Sequence, residues 1–216
     1  MRHNLLLTLI YFLPILVVGQ GNNIDLLKLE AEVMTYKRLF NYADSLTIRG
    51  NVGQISDDLV KRSETLDNGR PVDYFLTAVK MLDKGYYNDA SFLYYLGDLR
   101  YRYYNSVNPK YAESEDGALL ASFNYALGEP IGYYLRSNVD NFIQILKKCS
   151  EYYLTNDYDF YPKKKDPTKY AEQADRLDKV IADLQLNKMS YQETWNRQRL
   201  DYEKNLDSAL EQLRKK

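Results

Sequence analysis

Apolar residues recur along most of this chain at the spacing of an α-helix, and the alternation typical of β-strands is almost absent. The first such segment runs from Ile24 to about Arg49, and Gly50 and Gly53 follow it. Glycine is common where a helix ends, because it tolerates the left-handed backbone conformation found there. The pattern predicts an all-α fold, a helical array or bundle of about eight helices.

The other predicted helices are separated by caps and breakers rather than by long linkers. Ser56 fits the N-cap of a short helix that ends near Asn68 and Gly69, because its hydroxyl can accept from the first backbone N–H groups. Pro71 fits the first position of the next helix, where a missing N–H costs nothing. The remaining helices are expected at about 71–84, 88–105, 116–127, 137–154, 168–186 and 190–216.

Two breakers and one cap define the predicted boundaries in the second half of the chain. Gly128 and Pro130 are expected to close the helix that begins near residue 116, leaving a turn or short helix after them. Ser137 is the predicted cap of the following helix. Residues 155–167 contain two prolines and a lysine run without apolar periodicity, so we expect a loop there.

The helix at about 88–105 is predicted to lie at the centre of the fold. It has apolar residues on two sides, and its continuous polar stripe is narrow: Ser91, Asp98, Arg102 and Asn105. A helix that is apolar on most of its circumference is a buried one. Ala90 and Gly97 lie on the same side and leave room for the preceding helix to approach closely.

This helix and its predecessor carry a recognisable pattern. Gly85, Tyr87 and Ala90 match a Gly-x-Tyr-x-x-Ala turn, and further positions of the pattern are matched by Tyr74, Ala78, Tyr94 and Gly97. Residues 72–109 therefore resemble one divergent tetratricopeptide-type (TPR-like) helical hairpin. The departures from the pattern are Thr77, Met81 and Arg102, the last in place of the closing proline, with Pro109 seven residues later. We find no second copy, so the resemblance implies one repeat-like hairpin inside a helical array.

The first nineteen residues have the layout of a secretory signal peptide. Arg2 and His3 precede an apolar run from Leu5 to Val18, and cleavage is expected before Gln20. The competing interpretation is a retained membrane anchor, for which the run is short. We expect a single all-α domain at 20–216, exported to the periplasm or the extracellular space and without a transmembrane anchor once the signal is cleaved.

Removal of residues 1–19 changes the chemistry that the chain can offer. The only histidine is lost, and the mature chain carries a net charge of −2, because Arg2 is the only one of the 29 Lys and Arg residues removed and all 30 Asp and Glu residues remain. This balance gives no reason to expect nucleic-acid binding. Cys149 is the only cysteine and has apolar neighbours at helical spacing, so a buried, inert thiol is expected. We predict no catalytic set, no metal site and no cofactor.

The tyrosines of the central helix have two possible roles. Tyr95, Tyr101, Tyr103 and Tyr104 could line a groove that binds a partner, since aromatic side chains are favoured at interfaces. Alternatively, they fill the core of a chain that contains 22 tyrosines and 7 phenylalanines.

Arg100 projects from the middle of an apolar side, where an unpaired charge would be very costly. It either faces a partner's carboxylate or forms an internal salt bridge, for which Glu113, Glu115 and Asp116 are the nearby candidates. Arg136 raises the same question. The predicted partner-binding residues are therefore Arg100, Tyr95, Tyr103, Tyr104 and Arg136.

Two functions remain open from the sequence. The preferred one is an exported, non-enzymatic protein-binding module of the cell envelope, either a scaffold or an inhibitor or immunity-type binder, whose partner is another exported or envelope protein. The TPR resemblance supports this class. The alternative is an envelope hydrolase that acts on polysaccharide through acidic catalysts, because a catalytic pair of carboxylates can come from distant positions in a chain.

Overall fold

A computed structural model describes residues 22–215 of this chain, and the regular structure in that range is entirely helical. The predicted all-α array is therefore confirmed. The predicted signal peptide at 1–19 lies outside the described residues. The helices are α1 (Asn22–Arg49), α2 (Leu59–Leu66), α3 (Pro71–Asp83), α4 (Tyr87–Val107), α5 (Glu115–Arg136), α6 (Val139–Thr155), α7 (Pro167–Leu186) and α8 (Lys188–Arg214), with 3₁₀ helices at Pro109–Glu113 and Lys163–Lys165.

Helix α4 is the central element, as its two apolar sides predict. It packs against α3, α5, α6 and α7. A Cβ atom added at Gly97 would lie 2.7 Å from the Cβ of Tyr74 and 3.0 Å from Cε2 of Phe75. Gly97 therefore permits the predicted close approach of the preceding helix. The TPR resemblance itself stays a prediction.

Helix α5 differs from the prediction, because it continues through Gly128 and Pro130 to Arg136. Its buried apolar face runs across the proline, with Leu127, Pro130, Ile131 and Tyr134 all enclosed. Proline inside a helix costs roughly 3 kcal/mol, and burying this face outweighs that cost. Gly128 marks a close contact instead of a stop, since a Cβ there would lie 3.0 Å from the hydroxyl oxygen of Tyr94.

Two predicted caps were wrong. Ser56 lies before α2 but does not cap it, because its hydroxyl donates to the Asp89 carboxylate and Asp58 takes the N-cap position. Ser137 ends α5, and the side chain of Asn138 caps α6 by accepting from the N–H of Asn141 at 3.0 Å. Both segments offered several residues suited to capping. Ser56 is engaged by the distant Asp89, whereas the hydroxyl of Ser137 donates to the carbonyl of Tyr133 within α5.

The two longest flanking helices, α1 and α8, pack together and carry ion pairs along their contact. Glu30 pairs with Arg214 at 2.7 Å and Lys37 with Asp207 at 2.9 Å. Beneath these pairs lies a small apolar cluster of Leu29, Val33 and Leu210, separate from the main core. Within residues 22–215, no helix combines the length and apolar character needed to cross a membrane.

Candidate partner-binding site

Arg100 lies in the interior of the protein, with 0% of its surface exposed. Its Nε atom is 2.8 Å from Oδ1 of Asp67, which follows α2 in the chain. Asp67 is itself nearly enclosed and accepts hydrogen bonds from the hydroxyls of Tyr74 (2.7 Å) and Tyr152 (2.8 Å). A buried charge needs both an opposite charge and further hydrogen bonds, and this arrangement supplies them.

The guanidinium of Arg100 also organises the segment that joins α6 to α7. It donates to the hydroxyl of Tyr170 at 2.5 Å and to the backbone carbonyl oxygens of Asn156 (3.1 Å) and Asp157 (3.3 Å). Its Cζ atom lies 4.9 Å from the ring centre of Tyr153 and 5.1 Å from that of Tyr158. The cation therefore lies among aromatic rings and ties the loop to α4.

The electrostatics of this pair favour a charged arginine. Burial acts to lower the pKa of Arg100, but the Asp67 carboxylate reverses that effect and the pKa lies above its usual value. The pKa of the Asp67 carboxyl lies above its usual value, because burial raises it more than Arg100 and the hydroxyls of Tyr74 and Tyr152 lower it. The two side chains stabilise each other's ionised form, which makes the pair a structural element of the core.

The sequence-based interpretation of Arg100 is corrected by this placement. The arginine is enclosed and has no surface to offer a partner. The internal salt bridge is present, but its acid is Asp67 and not Glu113, Glu115 or Asp116. Asp116 instead pairs with Arg70 at 2.8 Å. The candidates adjacent in sequence were wrong because α4 meets the turn after α2 in space.

Two of the predicted tyrosines belong mainly to the core. Tyr103 is fully enclosed and donates its hydroxyl to the carbonyl of Pro162 at 3.1 Å. Tyr104 is partly buried among rings, 4.7 Å from that of Tyr111 and 5.2 Å from that of Phe160. The partner-facing interpretation of Tyr103 is therefore corrected, and these rings fill the space between α4 and the loop after α6.

This burial predicts a loss of stability in alkaline solution. Burial raises the pKa of Tyr103 from 10.0 to about 12, so the unfolded chain releases this proton at lower pH than the folded one. Between those two values the free energy of unfolding should fall with pH, by about 1.4 kcal/mol per pH unit for such a group. Urea unfolding from pH 9 upwards measures the slope. Tyr103→Phe should make this slope shallower by up to that amount, with other buried tyrosines accounting for the remainder, whereas the control Tyr125→Phe, at an exposed ring, should leave it unchanged. Equal slopes in all three proteins would contradict this.

Two other predicted residues lie near the surface. Arg136 is partly buried, donates to the carbonyl of Gly132 at 3.0 Å and places its Cζ 4.8 Å from the ring centre of Tyr133. Tyr95 is also partly buried, with its ring 5.8 Å from that of Phe142. Tyr95 is the predicted site residue that lines a groove.

This groove lies between α4 and α7 and has a volume of about 260 Å³. Its floor is apolar, because Leu99 and Leu177 are buried beneath it, and Val180 forms an edge with 47% of its surface exposed. The α4–α7 groove is lined by Tyr95, Asp98, Leu99, Arg102, Gln173, Arg176, Leu177 and Val180. The sequence-based site list missed all of these except Tyr95, although the spacing within 173–180 is that of one helix face.

A row of aromatic rings continues from the groove across the neighbouring helices. Tyr95 of α4 lies against Phe142 of α6, whose ring centre is 6.1 Å from that of Trp195 in α8. Tyr191 then stacks on Trp195 at 4.7 Å. All four side chains are partly exposed, which is the amphipathic character typical of interface residues.

A second, more polar cleft of about 280 Å³ lies next to Ser56. It contains two carboxylates, but each already has a partner. Asp58 pairs with Arg62 at 2.6 Å, and Asp89 accepts hydrogen bonds from the N–H and the hydroxyl of Ser56. This cleft therefore resembles a packed junction between α2, α3 and α4 more than a pair of facing catalytic acids.

Comparison with protein-family models, with curated proteins and with solved structures finds no significant match to this chain. The function is therefore inferred from the geometry of the α4–α7 groove and from the sequence.

Proposed function

We propose that this chain is an exported, non-enzymatic module of the cell envelope that binds another protein through the α4–α7 groove. The export part of the proposal rests on the signal-like segment at 1–19. The binding part rests on one observation above all: an apolar, charge-rimmed groove lies open beside the tightly packed central helix.

Two features support a protein as the bound species. The groove joins a row of partly exposed rings, Tyr95, Phe142, Trp195 and Tyr191, and aromatic side chains are enriched at protein interfaces. Its rim carries charges of both signs, Asp98, Arg102 and Arg176. An apolar centre with a polar rim is the usual anatomy of a protein interface.

No observation favours the alternative of a polysaccharide hydrolase in the same way. Such an enzyme needs two carboxylates that face each other across a cleft with room for the sugar. The cleft at Ser56 holds Asp58 and Asp89, which are engaged by Arg62 and Ser56. We therefore propose binding alone.

Affinity capture from an envelope extract of the producing cells tests this function. Val180→Arg places a charge on the apolar edge of the groove and should abolish retention of the specific partner, with at least about tenfold less protein recovered. Leu186→Arg is the matched control, because Leu186 is 84% exposed at the end of the same helix and outside the groove. Quantitative mass spectrometry compares the three proteins.

The outcome separates the proposal from non-specific adhesion. Partners retained by the wild type and by Leu186→Arg, and lost from Val180→Arg, would support it. Equal retention by all three proteins would overturn the assignment of the groove. Titration of each retained partner then distinguishes the two roles, since an inhibitor binds one partner tightly and a scaffold binds several weakly.

A further inference from the structure

The α4–α7 groove is built by two helices that present the same spacing. Helix α4 contributes residues 95, 98, 99 and 102, and α7 contributes residues 173, 176, 177 and 180. Both sets follow the i, i+3, i+4, i+7 pattern of one helix face, about two turns or 10 Å long. Lys169 at the start of α7 bonds the carbonyl of Ser106 near the end of α4 at 2.6 Å, so the helices run antiparallel.

Such a surface has the shape that receives another helix. Side chains at i, i+3, i+4 and i+7 form ridges, and a third helix packs its own ridges between them. Elsewhere along α4, the helices α3 and α6 pack against it. Within residues 22–215 no further helix covers the groove, and Val180 is left half exposed.

The groove also contains an unsatisfied polar group. Gln173 is 2% exposed, its Nε2 donates to the carbonyl of Lys169 at 3.2 Å, and its Oε1 has no hydrogen-bond partner among the described residues. A buried acceptor without a donor costs about 1–3 kcal/mol. This oxygen is itself enclosed beneath the groove, so it adds to the cost of folding and is not a contact for an occupant.

The charges at the rim of the groove favour one sign of charge on the occupant. Asp98 is paired with Arg102 at 2.6 Å, so their charges offset each other. Arg176 is exposed and makes no ion pair within residues 22–215. The rim therefore has an excess of one positive charge, which complements an acidic surface.

We propose that the α4–α7 groove receives one amphipathic helix of the partner, with an apolar face two turns long and acidic residues on the side that faces Arg176. This inference rests on the proposed function and names the element of the partner that would be bound. It corresponds to the helix-in-groove mode of recognition, in which apolar anchors at i, i+3, i+4 and i+7 enter a groove between helices.

Synthetic peptides test the inference without knowledge of the partner. The first is a labelled helix of about 16 residues, long enough for partial helicity in water, with leucines at i, i+3, i+4 and i+7 and glutamates at the positions that flank this apolar face. The second replaces the glutamates by lysines, and the third carries a proline at its centre. Fluorescence anisotropy measures the binding of each peptide to the full chain.

The acidic helix should bind about tenfold more tightly than the lysine version, because like charges at the rim are unfavourable. The proline version should lose at least about tenfold, because the break removes the continuous apolar face. Arg176→Glu should reverse the charge preference, and the control Arg197→Glu, at an exposed arginine of α8 outside the groove, should leave it unchanged.

Each other outcome overturns a stated part of the inference. Equal binding of the proline version would identify an extended segment rather than a helix as the occupant. Equal binding of the acidic and lysine versions, or no effect of Arg176→Glu, would overturn the charge assignment. If no peptide binds while Val180→Arg still abolishes capture of the cellular partner, the helix inference fails and the proposed function stands.

Discussion

Replacing Arg100 by methionine should lower the free energy of unfolding by about 3–5 kcal/mol, because removal of one partner leaves a buried charge uncompensated. The substitution keeps an unbranched apolar stem but leaves the carboxylate of Asp67 without its cation. It also removes the donors to the carbonyls of Asn156 and Asp157. Urea unfolding followed by far-ultraviolet circular dichroism measures the loss.

Arg102→Met is the matched control, two residues further along the same helix. Arg102 also forms an ion pair, with Asp98 at 2.6 Å, but 54% of its side chain is exposed. Exposed pairs of this kind contribute about 0–1 kcal/mol. Similar losses for both variants would mean that the burial of the Arg100–Asp67 pair has no special importance.

A second substitution keeps the test informative if Arg100→Met does not fold. Asp67→Asn removes the negative charge and retains the shape, so the double variant Arg100→Met/Asp67→Asn leaves no buried ion. It should be more stable than Arg100→Met alone, because the penalty of the unpaired carboxylate is gone. A double variant less stable than Arg100→Met would contradict the charge-pair explanation.

Replacing Gly97 by alanine is expected to lower the free energy of unfolding by about 1–3 kcal/mol, through overpacking. A Cβ atom there would meet the Cβ of Tyr74 at 2.7 Å and the ring of Phe75 at 3.0 Å. Both neighbours are fully buried, so α3 and α4 must separate to accept the methyl group. Chemical denaturation measures the change directly.

Gly132→Ala is the control, since Gly132 also lies inside a helix. A Cβ there would meet only the end of the flexible Arg136 side chain, at 3.1 Å. Alanine is a better helix former than glycine by about 0.5–1 kcal/mol, so this variant should be more stable than the wild type. A loss at position 132 equal to that at 97 would contradict the role assigned to the close approach.

The sequence predicts the helices well, because their apolar spacing is local information. It places α1, α3 and α4 within a few residues of their ends and identifies α4 as central. The predicted helix end at Pro130 is wrong, although proline in the interior of a helix usually ends it. The apolar face of α5 continues past the proline, and the packing of that face was the stronger signal.

The site is less accessible to sequence reasoning than the fold. The pattern shows that Arg100 needs a partner, but the acid is Asp67, 33 positions away, in a turn that only the tertiary fold brings to α4. The α4–α7 groove likewise depends on how two distant helices meet. Tyr95 was predicted as a site residue because it lies on the tyrosine-rich helix. The local sequence around Arg176 and Val180 does not indicate that they line a groove.

Hydrogen–deuterium exchange of the chain bound to a captured partner is the most direct test of the central claim, that partner binding occurs in the α4–α7 groove. Backbone amides become protected where a partner restricts local opening. Binding in this groove should give new protection in residues 95–102 and 173–180, with little change along the contact between α1 and α8. Protection confined to α1 and α8, with the groove segments unchanged, would contradict it.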